Sequence, residues 1–208
     1  MTIILKNKET LIFDDFIFKC SIGRNGLARS KVEGDKKTPI GTFTLGNLLY
    51  RNDRNPKPLT KLKCVPIKKN MGWCDDIKSK KYYNKLIKVK KNIQHEKLYR
   101  RDYKYDFIIP INYNTRYTKI GAGSAIFVHL TKKYNPTAGC IALQKKDFLI
   151  LLKLINKNTK IRITQPLLPK ILDPILKYVD LYSIAFRKSD DIPMLNSFKL
   201  IISLSSLI

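Results

Sequence analysis

A histidine and a cysteine, His129 and Cys140, lie close enough in the sequence to act together. His129 is one of two histidines and ends the apolar run AIFVH, and Cys140 ends the turn-like segment TAGC. A cysteine sulfur attacks a carbonyl carbon only as a thiolate, and because a free thiol has a pKa of roughly 8.5, a neighbouring imidazole has to draw its proton away. The pair therefore predicts a thiol nucleophile and its general acid/base.

A strand before His129 and a turn before Cys140 are the elements that have to position this pair. Side chains alternate along a strand, so Ala125 and His129 are expected on the same face. Gly139 permits a turn that other residues resist, and the backbone amides of Gly139 and Cys140 are expected to point at a developing oxyanion. The hydroxyl of Thr137 is expected to orient this turn, with ordinary turn chemistry as the alternative.

The segment around the pair resembles the YkuD-like L,D-transpeptidases, which modify bacterial peptidoglycan. Members carry a histidine, a spacer and a Ser/Thr-x-Gly-Cys turn, matched here by His129, Thr137, Gly139 and Cys140. Four further segments up to about Ile163 resemble the family: GDKKTPIGTFTLG, GWCDDIKSKKYYN, HEKLYRRDYKYDFIIPINYN and GSAIFVH. The resemblance therefore covers most of the chain.

The resemblance implies a fold and a reaction. The fold is expected to be mainly β, a curved β-sheet or sandwich with a short helix after the nucleophile. Residues 1–163 would form the catalytic domain, and residues 164–208 a C-terminal extension of unknown role. Cys140 would attack the amide between meso-diaminopimelate and a terminal D-alanine in a tetrapeptide stem, with His129 as general acid/base. The resulting acyl-enzyme would cross-link, exchange or trim the peptidoglycan stem peptides.

The substrate-binding residues follow less directly from the sequence. Many family members have a second histidine where this chain has Ala138, and a polar residue or arginine where it has Ala142. Trp73 is a candidate for lining a substrate groove, and a place in the core is the alternative. Arg116 and Tyr117 are candidates for meeting a substrate carboxylate, because guanidinium and carboxylate groups match in bidentate fashion.

The charge of the chain raises a second functional class. The formal net charge is +25 over 208 residues, which is typical of proteins that bind nucleic acid, acidic membranes or anionic polymers. The lysines are spread along the chain, which favours a solvated basic surface with no specific nucleic-acid partner. The alternative function is a basic binding module for wall polymer or nucleic acid with weak or no catalytic activity.

The sequence predicts no metal and no cofactor. The other cysteines, Cys20, Cys64 and Cys74, have irregular spacings without a CxxC pair and are expected to be small buried side chains. A HExxH zinc motif fails because its second histidine would occupy the position of Tyr99. In the segment that contains Tyr99, we expect the charged side chains to form a paired structural network, comprising Glu96, Arg100, Asp102 and Asp106.

Local patterns predict the main elements. Thr2–Leu5, Thr10–Phe13 and Lys160–Ile163 are expected as strands. The apolar spacing from Phe148 to Ile155 predicts a helix, and the proline-interrupted region 52–92 predicts loops with short strands.

The family resemblance implies that the protein is located in the cell envelope or periplasm. The segment MTIILKNKETLIF has an apolar patch too short for a signal peptide, which leaves the cytoplasm open. The apolar end SFKLIISLSSLI is too short to span a bilayer, which takes about 20 residues. We therefore expect no transmembrane span, and we favour a monomer.

Overall fold

The protein is described by a computed structural model that covers residues 1–165. Of the proposed C-terminal extension, residues 164–208, positions 166–208 lie outside the described residues. The described strands are β1 (Thr2–Leu5), β2 (Thr10–Phe13), β3 (Phe16–Ser21), β4 (Leu27–Ala28), β5 (Thr38–Pro39), β6 (Gly41–Thr44), β7 (Leu48–Tyr50), β8 (Cys64–Pro66), β9 (Met71–Cys74), β10 (Leu86–Lys88), β11 (His95–Lys97), β12 (Phe107–Pro110), β13 (Phe127–Leu130), β14 (Ile141–Leu143) and β15 (Lys160–Ile163), and the helix is α1 (Lys145–Leu154).

Ten of these strands form one curled sheet, in the order β6-β15-β1-β2-β3-β14-β13-β12-β7-β8. The sheet curls far enough for the chain at the end of β6 to meet the end of β12. There, Leu45 forms a bridge with Ile111, and the Asn112 N–H donates to the Thr44 carbonyl oxygen at 2.9 Å. Within the described residues the fold is therefore mainly β, a half-barrel with one short helix. This confirms the curved, mainly β fold with a short helix after the cysteine that the family resemblance implied.

The first three strands form consecutive hairpins, because polar turns separate short alternating runs. Asp14 takes a positive φ of 54° in the turn between β2 and β3, a conformation that Asp tolerates better than most residues. The predicted strands Thr2–Leu5, Thr10–Phe13 and Lys160–Ile163 are all confirmed. β15 pairs in parallel with β1, which places β1 inside the sheet rather than at its edge.

The helix follows β14 and packs over β13, with Phe148, Leu151 and Leu152 fully buried. Burial of each such side chain stabilises the fold by about 1.5–3 kcal/mol. Asp147 in the first turn and Lys153 in the last turn complement the helix dipole. The helix predicted from the apolar spacing is confirmed.

A second, three-stranded sheet has the order β10-β9-β11, so the region predicted as loops with short strands contains such strands. A second apolar cluster includes side chains of β9 and β13. In this cluster the ring of Phe127 meets Trp73 at 5.2 Å and Tyr105 at 6.0 Å, edge to face in both pairs. Within residues 1–165, no helix is both long and apolar enough to cross a membrane.

Candidate active site

Parallel pairing of β13 and β14 sets the positions of the histidine and the cysteine. In this register His129 lies beside Ala142, and Val128 beside Ile141. Cys140, one residue before Ile141, therefore lies beside Phe127. Because side chains alternate along each strand, His129 and Cys140 project from the same face as diagonal neighbours. Both line a cavity of about 400 Å³.

The thiol is held by two backbone groups. The Phe127 N–H donates to Cys140 Sγ at 3.3 Å, and Sγ–H donates to the Ala125 carbonyl oxygen at 3.3 Å. Burial raises the pKa of the Cys140 thiol to about 12, against the small opposing effect of the Phe127 N–H. The thiol is therefore protonated in the resting protein.

The imidazole is neutral as well, and its tautomer follows from one contact. Burial lowers the pKa of His129 to about 4. Its Nδ1 lies 2.9 Å from the Leu130 carbonyl oxygen, and since a carbonyl only accepts hydrogen bonds, Nδ1 carries the proton. Nε2 is then the basic nitrogen. The ring of Tyr105 packs at 5.4 Å from the imidazole and restricts its tilt.

The turn before the cysteine is closed by Thr137. Its Oγ1 donates to the Cys140 carbonyl oxygen at 2.6 Å and accepts from the Gly139 N–H at 3.1 Å. The Gly139 amide is thus already engaged. Among the described residues the Cys140 N–H has no hydrogen-bond acceptor.

Gly139 is required by space and by conformation. Its φ is +133°, and a Cβ at this position would lie 2.8 Å from the Lys37 carbonyl oxygen. Thr38 fixes the same turn from β5, because its Oγ1 donates to the Gly139 carbonyl oxygen at 2.8 Å and accepts from the Gly23 N–H at 3.0 Å. Sequence reasoning missed Thr38 as a site residue. The only signal was its place in the family-like segment GDKKTPIGTFTLG.

The expected strand alternation from Ala125 to His129 was wrong at its first residue. Ala125 has a φ of +51°, so it lies outside the extended strand, which begins at Phe127. Its N–H donates to Asn84 Oδ1 at 3.1 Å, and the same oxygen accepts from the Trp73 indole N–H at 2.9 Å. Asn84, also missed from the sequence, thereby holds the carbonyl that contacts the thiol.

The three candidate substrate-binding residues lie away from the cavity. Trp73 is 9% exposed and takes the alternative place in the apolar cluster. Arg116 and Tyr117 lie on the loop after β12, where the guanidinium stacks over the tyrosine ring at 5.3 Å and Tyr117 is 82% exposed. None of the three is among the cavity-lining residues. These residues could therefore contact only a part of the substrate that extends beyond the cavity.

The predicted charge network exists and reaches the cavity. Arg100 pairs with Asp102 at 2.6 Å and with Glu96 at 3.2 Å, whereas Asp106 pairs with Arg54 at 2.5 Å. Glu96 and Arg100 also line the cavity, a position that sequence reasoning did not assign to them.

The remaining cysteines take no part in the site. Cys20 and Cys74 are buried and Cys64 is half-buried, and all are free thiols. In the part of the chain that the structure describes, no cluster of three or more His, Cys, Asp or Glu side chains could hold a metal ion.

Comparison with known proteins gives a family match and similar solved structures, two of which are described here. Residues 1–163 match the YkuD family, described as L,D-transpeptidase catalytic domain. No curated protein matches. The helical cell shape determining protein Pgp2 from Campylobacter jejuni is 18% identical with a TM-score of 0.44, covering 79% of this chain and 47% of that chain. Its K307A mutant is 18% identical with a TM-score of 0.43, covering 88% and 53%. This chain thus spans about half the length of those structures.

Proposed function

The chain belongs to the YkuD family of L,D-transpeptidase catalytic domains, which acts on peptidoglycan and is generally found in the cell envelope, and from this premise we propose that it is a cysteine acyltransferase of peptidoglycan stem peptides. The observation that carries the proposal is the parallel pairing of β13 and β14, which puts His129 and Cys140 on one face of one cavity. The donor is a tetrapeptide stem that ends in diaminopimelate and D-alanine.

The first step joins proton transfer to nucleophilic attack. With a thiol pKa of about 12 and an imidazole pKa of about 4, an ion pair is strongly disfavoured in the resting site. The S–H therefore rotates from the Ala125 carbonyl toward Nε2 of His129 and gives up its proton as the sulfur bonds to the donor carbonyl carbon. The result is a tetrahedral intermediate beside an imidazolium.

The second step releases D-alanine. The Cys140 N–H donates to the oxyanion, and backbone donors of this kind supply about 2.7–4 kcal/mol to such a transition state. The carbon–nitrogen bond then breaks, the imidazolium protonates the departing amine, and a thioester to Cys140 remains. An acceptor amine that attacks this thioester forms a cross-link or an exchanged stem, whereas water yields a trimmed stem.

Intact-protein mass spectrometry with a diaminopimelate-containing tetrapeptide tests the proposal. The expected result is a mass gain equal to the thioester, with release of D-alanine. This gain should be absent in Cys140→Ser and should form much more slowly in His129→Ala. Cys64→Ser is the matched control, because it removes a free thiol outside the cavity and should leave the adduct unchanged.

The competing function is the basic binding module, which the formal charge of +25 favours. A binding module would give no adduct, and its affinity for polyanions would survive Cys140→Ser and fall steeply with salt. That pair of results would contradict the acyltransferase proposal.

A further inference from the structure

A second cavity, of about 470 Å³, lies beside β10 at one edge of the three-stranded sheet. Its lining combines a tyrosine and three aliphatic side chains with four lysines, which are Lys81, Lys85, Lys88 and Lys90. No residue of this β10 cavity lines the cavity at Cys140. The protein therefore has a separate cavity, away from the candidate active site, that is both cationic and apolar.

The lysines of the β10 cavity are not neutralised by carboxylates. Residues 77–95 contain seven lysines and no Asp or Glu. All four lysines of the cavity are exposed, and none of them forms an ion pair within residues 1–165. Lysines at a sheet edge can serve only to prevent pairing with another chain. That role does not explain the aliphatic side chains between them, so a ligand with both negative charge and apolar surface fits the cavity better.

Tyr82 contacts two of these lysines. The Nζ atoms of Lys81 and Lys90 lie 5.6 and 5.0 Å from the centre of its ring, and Lys90 Nζ also donates to the phenol oxygen at 3.2 Å. This hydrogen bond and the charges of both ammonium groups lower the pKa of Tyr82. A ring engaged by two cations is poorly placed to stack on a nucleobase, which is how aromatic side chains bind single-stranded nucleic acid.

Leu86 presents apolar surface among the lysines. It is 40% exposed, whereas the next residue in β10, Ile87, is 9% exposed. A lysine carries its charge at the end of a flexible apolar stem, so its ammonium group can reach a lipid phosphate while the stem contacts apolar surface. A hydrophilic polyanion would leave Leu86 in water, but the boundary between the headgroups and acyl chains of a bilayer would cover it.

We propose that the β10 cavity attaches the protein to an anionic phospholipid bilayer, with lipid phosphates on its lysines and Leu86 at the acyl boundary. Such a bilayer supplies both negative charge and apolar surface. β10 and β11 form the two edges of their sheet, and Glu96 of β11 lines the cavity at Cys140. Attachment therefore uses the edge opposite β11, and the inference does not depend on the proposed reaction.

Co-sedimentation of the full chain with vesicles tests the role of charge. The protein should bind vesicles of phosphatidylcholine with about a third phosphatidylglycerol, and should bind vesicles of phosphatidylcholine alone much more weakly. The double variant Lys85→Gln, Lys88→Gln should bind the anionic vesicles about thirtyfold more weakly, roughly fivefold for each lysine. The matched control is Lys6→Gln, Lys157→Gln, because it loses the same charge at exposed positions outside the cavity. Its affinity should fall less than about threefold.

Leu86→Gln tests the apolar contact. It should weaken binding to the anionic vesicles several-fold, and the loss should persist at high salt, where the contribution of the lysines is screened. Ile150→Gln is the matched control, because Ile150 on α1 is also 40% exposed and lies outside the β10 cavity. This control should bind the vesicles as the unmodified protein does.

Three results would overturn the inference. Equal losses in the two lysine double variants would mean that the net charge of +25 attracts the vesicles without a specific surface. Unchanged vesicle binding by Leu86→Gln would remove the apolar contact. Unchanged vesicle binding by Lys85→Gln, Lys88→Gln, with weaker binding to double-stranded DNA instead, would identify a nucleic-acid surface. Thermal melts should show equal midpoints for both lysine double variants, because all four substituted side chains are exposed.

Discussion

The two faces of β13 and β14 are buried to a similar degree, yet burial has different consequences on each. On the inner face, Leu130 and Leu143 are at most 1% exposed and belong to the main core. On the outer face, His129 and Cys140 are each 7% exposed. Burial of the leucines stabilises the fold because they are apolar. Burial of the titratable pair instead keeps both groups neutral. Exclusion of water therefore stabilises the fold at the inner face and sets the protonation states at the outer face.

The largest effect should come from Cys140→Ala on the outer face. Loss of the nucleophile should abolish formation of the acyl-enzyme, because alanine has no atom that can hold the acyl group. Its midpoint of thermal unfolding should stay close to that of the unmodified protein, because a small side chain replaces a small one. Stopped-time mass spectrometry and calorimetric melts measure the two quantities. Residual acylation in this variant would mean that another thiol is the nucleophile.

His129→Ala should follow, with a loss of about 10²–10⁴-fold in the acylation rate, since that is the usual contribution of a general base. If His129 acts through Nε2 as proposed, added imidazole should restore part of the rate. An acylation rate that is unchanged at neutral pH would show that His129 takes no part in the reaction. The outer face would then not differ from the inner face in catalytic function.

Leu143→Ala should show the opposite pattern. Leu143 is fully buried, so the free energy of unfolding should fall by about 2–5 kcal/mol. The acylation rate per folded molecule should change little, because the outer face keeps its groups. Urea denaturation gives the first quantity, and single-turnover acylation below the transition gives the second. A proportionate loss of rate would show that the two faces are coupled.

The pH dependence of stability should contain a contribution from His129. The pKa is about 4 in the folded protein and about 6.5 in an unfolded chain, so the unfolded state binds more protons between these values. The free energy of unfolding should therefore fall as the pH drops from about 6.5 to about 4, by roughly 3 kcal/mol from this group. Urea titrations should show a shallower fall for His129→Gln, and parallel curves would contradict the buried neutral imidazole.

Thr38→Val should have the smallest effect. It removes the hydrogen bond to the Gly139 carbonyl and leaves the buried Gly23 N–H without its acceptor, at a cost of about 1–3 kcal/mol in stability. Thr44→Val is the control, because the hydrogen bond of Thr44 to the Asn112 side chain is exposed. Equal melting temperatures for the two variants would contradict the role of Thr38 in stabilising the turn.

The sequence predicted what depends on local pattern. Short alternating runs gave the hairpins, apolar spacing gave the helix, and the family-like spacing singled out His129 and Cys140, whose catalytic roles remain predictions. Contacts between distant segments were not predictable, because local periodicity carries no information about them. Thr38 reaches Gly139 across 101 residues, and Asn84 reaches Ala125 across 41. The same limit applies to Trp73. Whether its side chain packs in the core or lines a substrate groove depends on residues distant in the sequence.

The parallel pairing of β1 with β15 also has a consequence for synthesis on the ribosome. Thr2 pairs with Lys160, and β15 lies between β1 and β6. Two early strands therefore expose unpaired edges until residues 160–163 have left the exit tunnel, and contacts of such long range close slowly. During that interval the nascent chain presents strand edges that other chains can pair with. We expect chaperone demand, rather than native stability, to limit the yield of this protein when it is made rapidly.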